Sequence, residues 1–140
     1  MRERLDDMAH DAHGITATLT GTPFAEAAEK VRTALAGQGF GVLTEIDLTA
    51  TLRTKLGVEL EEYLVLGACN PAIAHRALEV DRRIGLLLPC NVVLRAVPEG
   101  VLVEAMDPQL MVQFTGRPEL AAAADEAAAR LRAALASLAD

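Results

Sequence analysis

Aromatic residues are scarce in this sequence: they make up 3% of it, and tryptophan is absent. Basic residues are also few, with 13 Lys and Arg against 20 Asp and Glu and a formal net charge of −7 at pH 7. Proteins that bind nucleic acids cluster basic side chains against phosphates and stack bases on aromatic rings. We therefore expect no nucleic-acid partner.

Cysteines and long apolar runs are also few. The two cysteines cannot build the multiple-disulfide framework that holds small secreted proteins together. No apolar run approaches the ~20 residues that span a bilayer. The charged N-terminus does not have the pattern of a signal peptide. We therefore expect no membrane partner and a cytoplasmic location.

The sequence does contain enough apolar material for one domain. Its 140 residues are 51% hydrophobic and 24% charged, which is typical of a globular chain with a real core. We predict a flexible N-terminal arm over residues 1–14 and a single α+β domain over residues 15–140. The arm carries His10 and His13, which could bind a metal ion if one helical turn held them together. Loose histidines near a terminus are the commoner situation.

Local signals in the first third predict two strands and two helices. Residues 15–19 alternate apolar side chains with threonine, which is typical of a half-buried strand. Thr22 and Pro23 then predict the N-cap and the first position of an amphipathic helix. A second strand is predicted over residues 40–46, and Asp47 is predicted to cap the helix that follows it.

Cys69 lies just before the clearest helix start in the chain. A short apolar run at residues 63–66 predicts a buried strand. Asn70 suits the N-cap position and Pro71 the first helical position, so we predict a helix over residues 71–80. The partial positive charge of a helix N-terminus favours ionisation of a nearby thiol. Cys69 is therefore a candidate reactive or metal-binding residue, or alternatively a small apolar residue that fills a corner.

Cys90 follows a second apolar run. We predict a core strand over residues 85–88, which Pro89 interrupts because proline cannot donate to a strand ladder. Cys90 and Asn91 then lie where the strand resumes. Bulges often re-aim side chains beside functional sites, so this segment is a candidate partner for Cys69 and its neighbour.

A turn signal at residues 98–100 completes a predicted β-hairpin over residues 86–106. In such a hairpin Glu104 and Met106 could lie across from Cys90 and add oxygen and thioether ligands. The alternative is an outward-facing carboxylate and a core methionine.

The final helix is predicted to begin at Pro118, and its dipole favours the acidic Glu119 that follows. Leucines and alanines form a long apolar stripe along it, and further alanines occupy other faces. This excess of small apolar surface suggests packing on the sheet and also against a second subunit.

Three strings, GFGVLTEIDL, LGACNPAIAHRAL and IGLLLPCNVV, resemble a family of small bacterial and archaeal proteins called the domain of unknown function 302. The resemblance extends from about Ile15 to the C-terminal helix. It implies an α+β two-layer sandwich, with a mainly antiparallel sheet, helices packed on one face, and a homodimer. Nothing carries over to His10 or His13, and the family name indicates no activity.

Three functional hypotheses follow. In the first, Cys69, Cys90 and His75 line a pocket at a helix N-terminus, with Asn70 and Asn91 beside them. The two cysteines would then bind a soft metal ion such as Cu(I) or Zn(II), or the pocket would take a small anionic ligand. In the second, one cysteine is the nucleophile of a thiol enzyme or sulfur carrier. In the third, the chain is a structural homodimer without chemistry. The sequence leaves open both whether a cofactor is bound and whether the chain is an enzyme.

Overall fold

A computed structural model describes residues 14–138 of the chain. Its five strands are β1 (Gly14–Thr20), β2 (Gly41–Asp47), β3 (Tyr63–Cys69), β4 (Cys90–Val97) and β5 (Gly100–Met106). Its α-helices are α1 (Phe24–Gly37), α2 (Leu48–Leu56), α3 (Pro71–Val80), α4 (Leu110–Thr115) and α5 (Ala121–Ala136). Short 3₁₀ helices cover Arg82–Leu87 and Pro118–Leu120. The predicted arm, with His10 and His13, falls almost wholly outside the described residues.

The strands form one antiparallel sheet in the order β1-β5-β4-β3-β2. Alternation along the strands places Leu66, Val92 and Leu94 on one face, where each is fully buried. Helices α1 and α5 cover this face with residues such as Val31 and Leu131, which belong to the same buried cluster. Each CH₂ group buried there contributes about 0.8 kcal/mol to stability. Because this cluster contains more buried residues than the other two, it contributes most to the stability of the fold. The predicted two-layer α+β sandwich is confirmed.

The opposite face of the sheet carries no helix among the described residues, and we call it the open face. The strand register forms three rows of side chains across it. The open face comprises Ile46, Val65, Val93, Glu104 and Thr16 in one row, Tyr63, Arg95, Leu102 and Thr18 in the second, and Thr44, Gly67 and Asn91 in the third. None of these side chains belongs to a buried cluster.

Several helix ends form as the local sequence predicts. The Asp47 carboxylate accepts a hydrogen bond from the Ala50 amide at 2.9 Å and so caps α2. Gly57 ends that helix in the left-handed region, with φ of 68°, a conformation that glycine adopts without steric cost. The Asn70 side chain accepts from the Ile73 amide at 3.3 Å at the start of α3.

The strand predicted over residues 85–88 is wrong. This segment lies mostly within a 3₁₀ helix, in which the Asp81 carboxylate accepts from the Arg83 amide at 2.9 Å. Its burial is not that of a core strand, since Ile84 is fully buried while Leu86 is 75% exposed. A short apolar run has no periodicity that separates a strand from a buried helical turn. Strand β4 accordingly begins at Cys90, after a cis peptide bond before Pro89.

Two further predictions need correction. Thr22 does not cap α1: its hydroxyl donates to the Thr20 carbonyl at 3.3 Å, and Pro23 occupies the N-cap position. Glu104 and Met106 do not lie across from Cys90, because the register pairs Glu104 with Val93 and Thr16, and Met106 with Gly14. Cys90 instead lies opposite Ala68 of β3.

Candidate functional site

Both cysteines line one small cavity, where the end of β3 leads into the start of α3. We call it the Cys69–Cys90 cavity. Its volume is about 20 Å³, which is room for one water molecule or one ion. Most of its walls are apolar, and its lining comprises Phe40, Ala68, Cys69, Asn70, Ile73, Ala74, Ala77, Leu88, Cys90 and Met111. Both cysteines are half-buried beside these walls.

Cys90 reaches the cavity because of its place in the sheet. It is the first residue of β4 and lies opposite Ala68, so it shares the helix-covered face with the buried Val92. Burial raises the pKa of the Cys90 thiol to about 11, and the neighbouring Cys69 raises it further in the same direction. At neutral pH the Cys90 thiol is therefore protonated and is a poor nucleophile, since the thiolate is the reactive form.

Cys69 lies at the point where the chain leaves the sheet. It is the last residue of β3, half-buried, and followed directly by the N-cap Asn70. Both cysteines are free thiols. Cys69 therefore lies close to the unpaired amides of the first turn of α3, which favour negative charge.

Asn70 has a structural task at this site. Its side-chain oxygen accepts from the Ile73 amide, so that oxygen is occupied by the helix cap. Gly39 approaches the other end of the amide group so closely that a Cβ at Gly39 would lie 2.9 Å from Asn70 Nδ2. Asn70 is thus held in one orientation between the cap and the backbone at Gly39.

His75 and Asn91 do not line the cavity. The His75 side chain is 74% exposed, and its Nδ1 lies 3.7 Å from the Glu79 carboxylate one turn further along α3. Asn91 is exposed and lies opposite Gly67, on the open face of the sheet. Of the five predicted site residues, the structure brings together Cys69, Asn70 and Cys90.

Within residues 14–138, no group of three or more His, Cys, Asp or Glu side chains could hold a metal ion together. Structural zinc sites are almost always four-coordinate. Cys69 and Cys90 alone do not make such a site. A metal ion in this cavity would have to accept two sulfur ligands.

A larger cleft, of about 480 Å³, lies between α1, β2 and α2 and was not predicted. Its arginines are paired with acids: Arg32 with Glu45, and Arg53 with Glu59 at 3.3 Å. At its floor the Thr49 hydroxyl accepts from the Tyr63 amide at 2.8 Å and donates to the Glu61 carbonyl at 2.7 Å. The residues come from four separate elements, so no local sequence pattern indicated the cleft.

No helix of the described part of the chain is both long and apolar enough to cross a membrane. No curated protein matches the chain. Among solved structures, the chain is similar to the crystal structure of an uncharacterized conserved protein DUF302 from Bacillus stearothermophilus. The two are 28% identical with a TM-score of 0.80, and the match covers 88% of this chain and 95% of that one.

The family described as "Domain of unknown function DUF302" matches residues 15–138, which include all five α-helices and all of the sheet except its first residue, Gly14. The match also includes both cysteines and the whole lining of the cavity between them. The resemblance noted for the three sequence strings is therefore confirmed over residues 15–138. The chain belongs to the DUF302 family.

Proposed function

We propose that this protein is a small metal-binding module in which Cys69 and Cys90 together hold one Cu(I) ion. The observation that carries the proposal is that both free thiols line the same small cavity. Soft thiolate ligands select soft ions such as Cu(I). The apolar walls support the proposal further, because they would keep water and competing hard ions away from the sulfur atoms.

The size of the cavity favours a single ion over the other ligands considered. At about 20 Å³ it is far below the ~300 Å³ or more of a typical small-molecule pocket. Zinc would need further ligands beyond the two cysteines. Cu(I) is stable with two sulfur ligands, so the proposal assigns it to this pair.

The charge of the bound state also fits its position. Two thiolates and one Cu(I) ion carry a net charge of −1. The first turn of α3 presents unpaired amides and the positive end of the helix dipole to this point. The protein therefore offers partial positive charge where the bound complex would be negative.

Proton release makes the proposed affinity dependent on pH. The metal must displace the proton of Cys90, whose pKa is raised to about 11 by burial and by the nearby Cys69. Below that pKa the apparent affinity rises about tenfold for each unit of pH from this thiol alone. The same raised pKa opposes the alternative of a thiol enzyme that uses Cys90 as its nucleophile at neutral pH.

The test is an anaerobic titration of the reduced full chain with Cu(I), in competition with a chromogenic Cu(I) chelator. We expect one ion per chain and two sulfur ligands by X-ray absorption. Cys69→Ser and Cys90→Ser should each weaken binding by more than about 100-fold, since loss of even an outer-shell partner costs 10–100-fold.

Matched controls are His75→Gln and Asn91→Ala, which change residues near the cysteines in sequence but outside the cavity. Both should bind like the wild type. A His10→Gln, His13→Gln variant controls for binding by the N-terminal histidines. Retention of the site in a Cys69→Ser, Cys90→Ser double variant would refute the proposal, as would failure of the wild type to compete with the chelator.

A further inference from the structure

We infer that the thioether sulfur of Met111 is a third ligand of the bound Cu(I) ion, longer and weaker than the two thiolates of Cys69 and Cys90. This inference rests on the proposed function and deepens it, because it adds a ligand to the same cavity. Met111 lines the Cys69–Cys90 cavity, and only 7% of the residue is exposed. The thioether that the sequence suggested as a ligand, that of Met106, does not line it.

The backbone of Met111 is fixed by the way in which α4 begins. The Asp107 carboxylate accepts a hydrogen bond from the Gln109 amide at 2.9 Å, which turns the chain as it leaves β5. The Met111 amide then donates to the Pro108 carbonyl at 3.0 Å. Near the other end of α4, the Thr115 hydroxyl donates to the Met111 carbonyl at 2.7 Å. Both backbone polar groups of Met111 are therefore held, so the start of its side chain has a defined position.

The side chain of Met111 forms part of the wall between the cavity and a buried cluster. In that cluster Met111 packs with Ile84 and Leu120. Ala77 and Met111 belong both to the cluster and to the lining of the cavity. A buried methionine commonly fills irregular gaps, because its unbranched side chain rotates about three bonds. The same freedom lets the sulfur of Met111 approach an ion in the cavity without a movement of the backbone.

No other side chain that lines the cavity offers a free donor atom. Apart from Asn70 and the three sulfur-containing residues, the lining side chains are hydrocarbon: Phe40, Ala68, Ile73, Ala74, Ala77 and Leu88. The Asn70 oxygen accepts from the Ile73 amide at 3.3 Å, and its amide nitrogen is a donor of hydrogen bonds. The cavity has room for about one ion, so an ion held by both cysteines lies near the remaining walls. The sulfur of Met111 is the donor available there.

A thioether ligand suits Cu(I) and the charge of the site. Thioethers are soft ligands that select soft ions, and they bind copper weakly and at long distance. Zinc in proteins is held by thiolates, imidazoles and carboxylates instead, so Met111 favours Cu(I) over Zn(II). The sulfur donates a lone pair and loses no proton, so the net charge of the bound complex stays at −1. That charge is the one that the first turn of α3 favours.

The experiment labels the thioethers with selenium. The full chain is produced with selenomethionine in place of methionine and loaded anaerobically with one equivalent of Cu(I). X-ray absorption at the copper edge distinguishes a selenium neighbour from sulfur neighbours. We expect two short Cu–S bonds and one longer Cu–Se contact. Labelled Met111→Leu should lose the Cu–Se contact and keep both Cu–S bonds, because leucine has a similar volume and cores tolerate this exchange.

Met106→Leu is the matched control, because it makes the same substitution at the end of β5, opposite Gly14 and outside the cavity lining. It should keep the Cu–Se contact and bind Cu(I) like the wild type. In competition with the chelator, Met111→Leu should bind Cu(I) about tenfold more weakly, at the low end of the range for loss of a supporting residue at a metal site. This ratio should be the same at every pH, because a thioether carries no titratable proton. A packing defect that altered the pKa of the Cys90 thiol would make the ratio change with pH.

If Met111→Leu fails to fold, a labelled Met8→Leu, Met106→Leu chain retains selenium at Met111 and should keep the Cu–Se contact. Loss of the contact in that chain would overturn the inference. Cu(I) bound by two sulfurs without a selenium neighbour would also overturn it, and would leave the proposed function intact. So would a Cu–Se contact that persists in Met111→Leu, since another methionine would then hold the ion. Failure of the wild type to bind Cu(I) would refute the proposed function and this inference together.

Discussion

The two faces of the sheet are made by the same five strands, yet one is sealed by helices and the other is not. On the covered face Leu94 is fully buried, while its neighbour Val93 on the open face is only partly buried. Both faces carry branched apolar residues, so strand composition alone does not decide which one becomes the core. The face that becomes the core is the one that α1 and α5 cover, because their apolar stripes pack against it.

The faces also differ in how they treat charge and polar groups. The covered side holds the Cys90 thiol in its protonated form, because burial and the neighbouring Cys69 raise its pKa. The open face keeps the Arg95 and Glu104 ion pair, with side chains 30% and 23% exposed. The same sheet thus offers a dry environment on one side and a partly hydrated one on the other.

The largest difference should appear when one large side chain is removed from each face. Leu94→Ala should lower the free energy of unfolding by about 2–5 kcal/mol, because it leaves a cavity in a closely packed core. Val93→Ala should cost about 1 kcal/mol or less in dilute protein, where its side chain has water on one side. Urea denaturation measures both. Equal losses would mean that the open face is as tightly covered as the core.

The second-largest expected effect is the slow reaction of the Cys90 thiol with alkylating reagents. In the wild-type chain Cys90 has a pKa of about 11, mainly because of burial. Burial remains in a Cys69→Ser chain, so the thiolate fraction of Cys90 at pH 8 should stay well below the roughly one quarter of an ordinary cysteine of pKa near 8.5. Alkylation by iodoacetamide should be slower than in the urea-unfolded chain by more than about tenfold. The rate should rise about tenfold per pH unit.

The same pKa predicts the direction of a stability change. The folded thiol of the wild-type chain keeps its proton up to about pH 11, while the unfolded thiol loses it near the ordinary cysteine value of about 8.5. The unfolded state is therefore favoured increasingly between these two pH values, and the free energy of unfolding should fall across that window. A folded-state alkylation curve with its midpoint near pH 8.5 would contradict both expectations.

A smaller effect should come from Gly67, where the open side of the sheet is closely packed. A Cβ at Gly67 would collide with Thr44 Oγ1 and lie 2.6 Å from Pro89 Cγ. Gly67→Ala should therefore cost about 1–3 kcal/mol in the free energy of unfolding, the usual penalty of overpacking. Gly85→Ala is the control, because a Cβ there meets nothing within 4 Å, and it should be nearly neutral. A neutral Gly67→Ala would show that Pro89 moves freely.

The smallest effect is expected from the ion pair of the open face. Glu104→Gln should cost less than about 1 kcal/mol in dilute protein, because both partners are partly exposed and screened by water. Added salt should shrink the difference further. Thermal unfolding at low and high salt measures it. A loss that is larger and insensitive to salt would mean that the pair is shielded from water.

Much of the fold was predictable because its signals are local. A cap and the helix that follows it lie within four residues of each other, which is why Asp47 and Asn70 were assigned correctly. The turn before Gly100 also needs only neighbouring residues. The family resemblance then supplied the layering, which no local pattern contains.

The errors arose where two local interpretations were equally good. The run at residues 85–88 has apolar side chains without spacing that distinguishes a strand from a turn. The segment forms a 3₁₀ helix and not a strand, because Asp81 caps the helix and Ile84 is buried, whereas Leu86 is exposed to water. Strand β4 begins at Cys90, and its register with β5 does not place Glu104 or Met106 opposite this residue, so the predicted contacts do not form.

The candidate site was predicted only in part, because it depends on contacts between distant elements. That Cys69 and Cys90 line one cavity follows from the pairing of β3 with β4, which no single stretch of sequence reveals. Asn70 was predicted correctly because the signal for a helix N-cap is local. His75 was placed near the site because it is close in sequence, but its position on α3 turns it outward to Glu79.

The strand order has a consequence for how the chain is made. Strand β1 pairs with β5, beginning with Gly14 opposite Met106, so β1 leaves the ribosome long before the strand with which it pairs. The apolar stripe of α1 must wait as well, because the sheet it covers is incomplete until then. Such non-local pairing slows folding and lengthens the exposure of sticky nascent segments. This architecture favours folding after synthesis of the whole domain rather than stepwise during it.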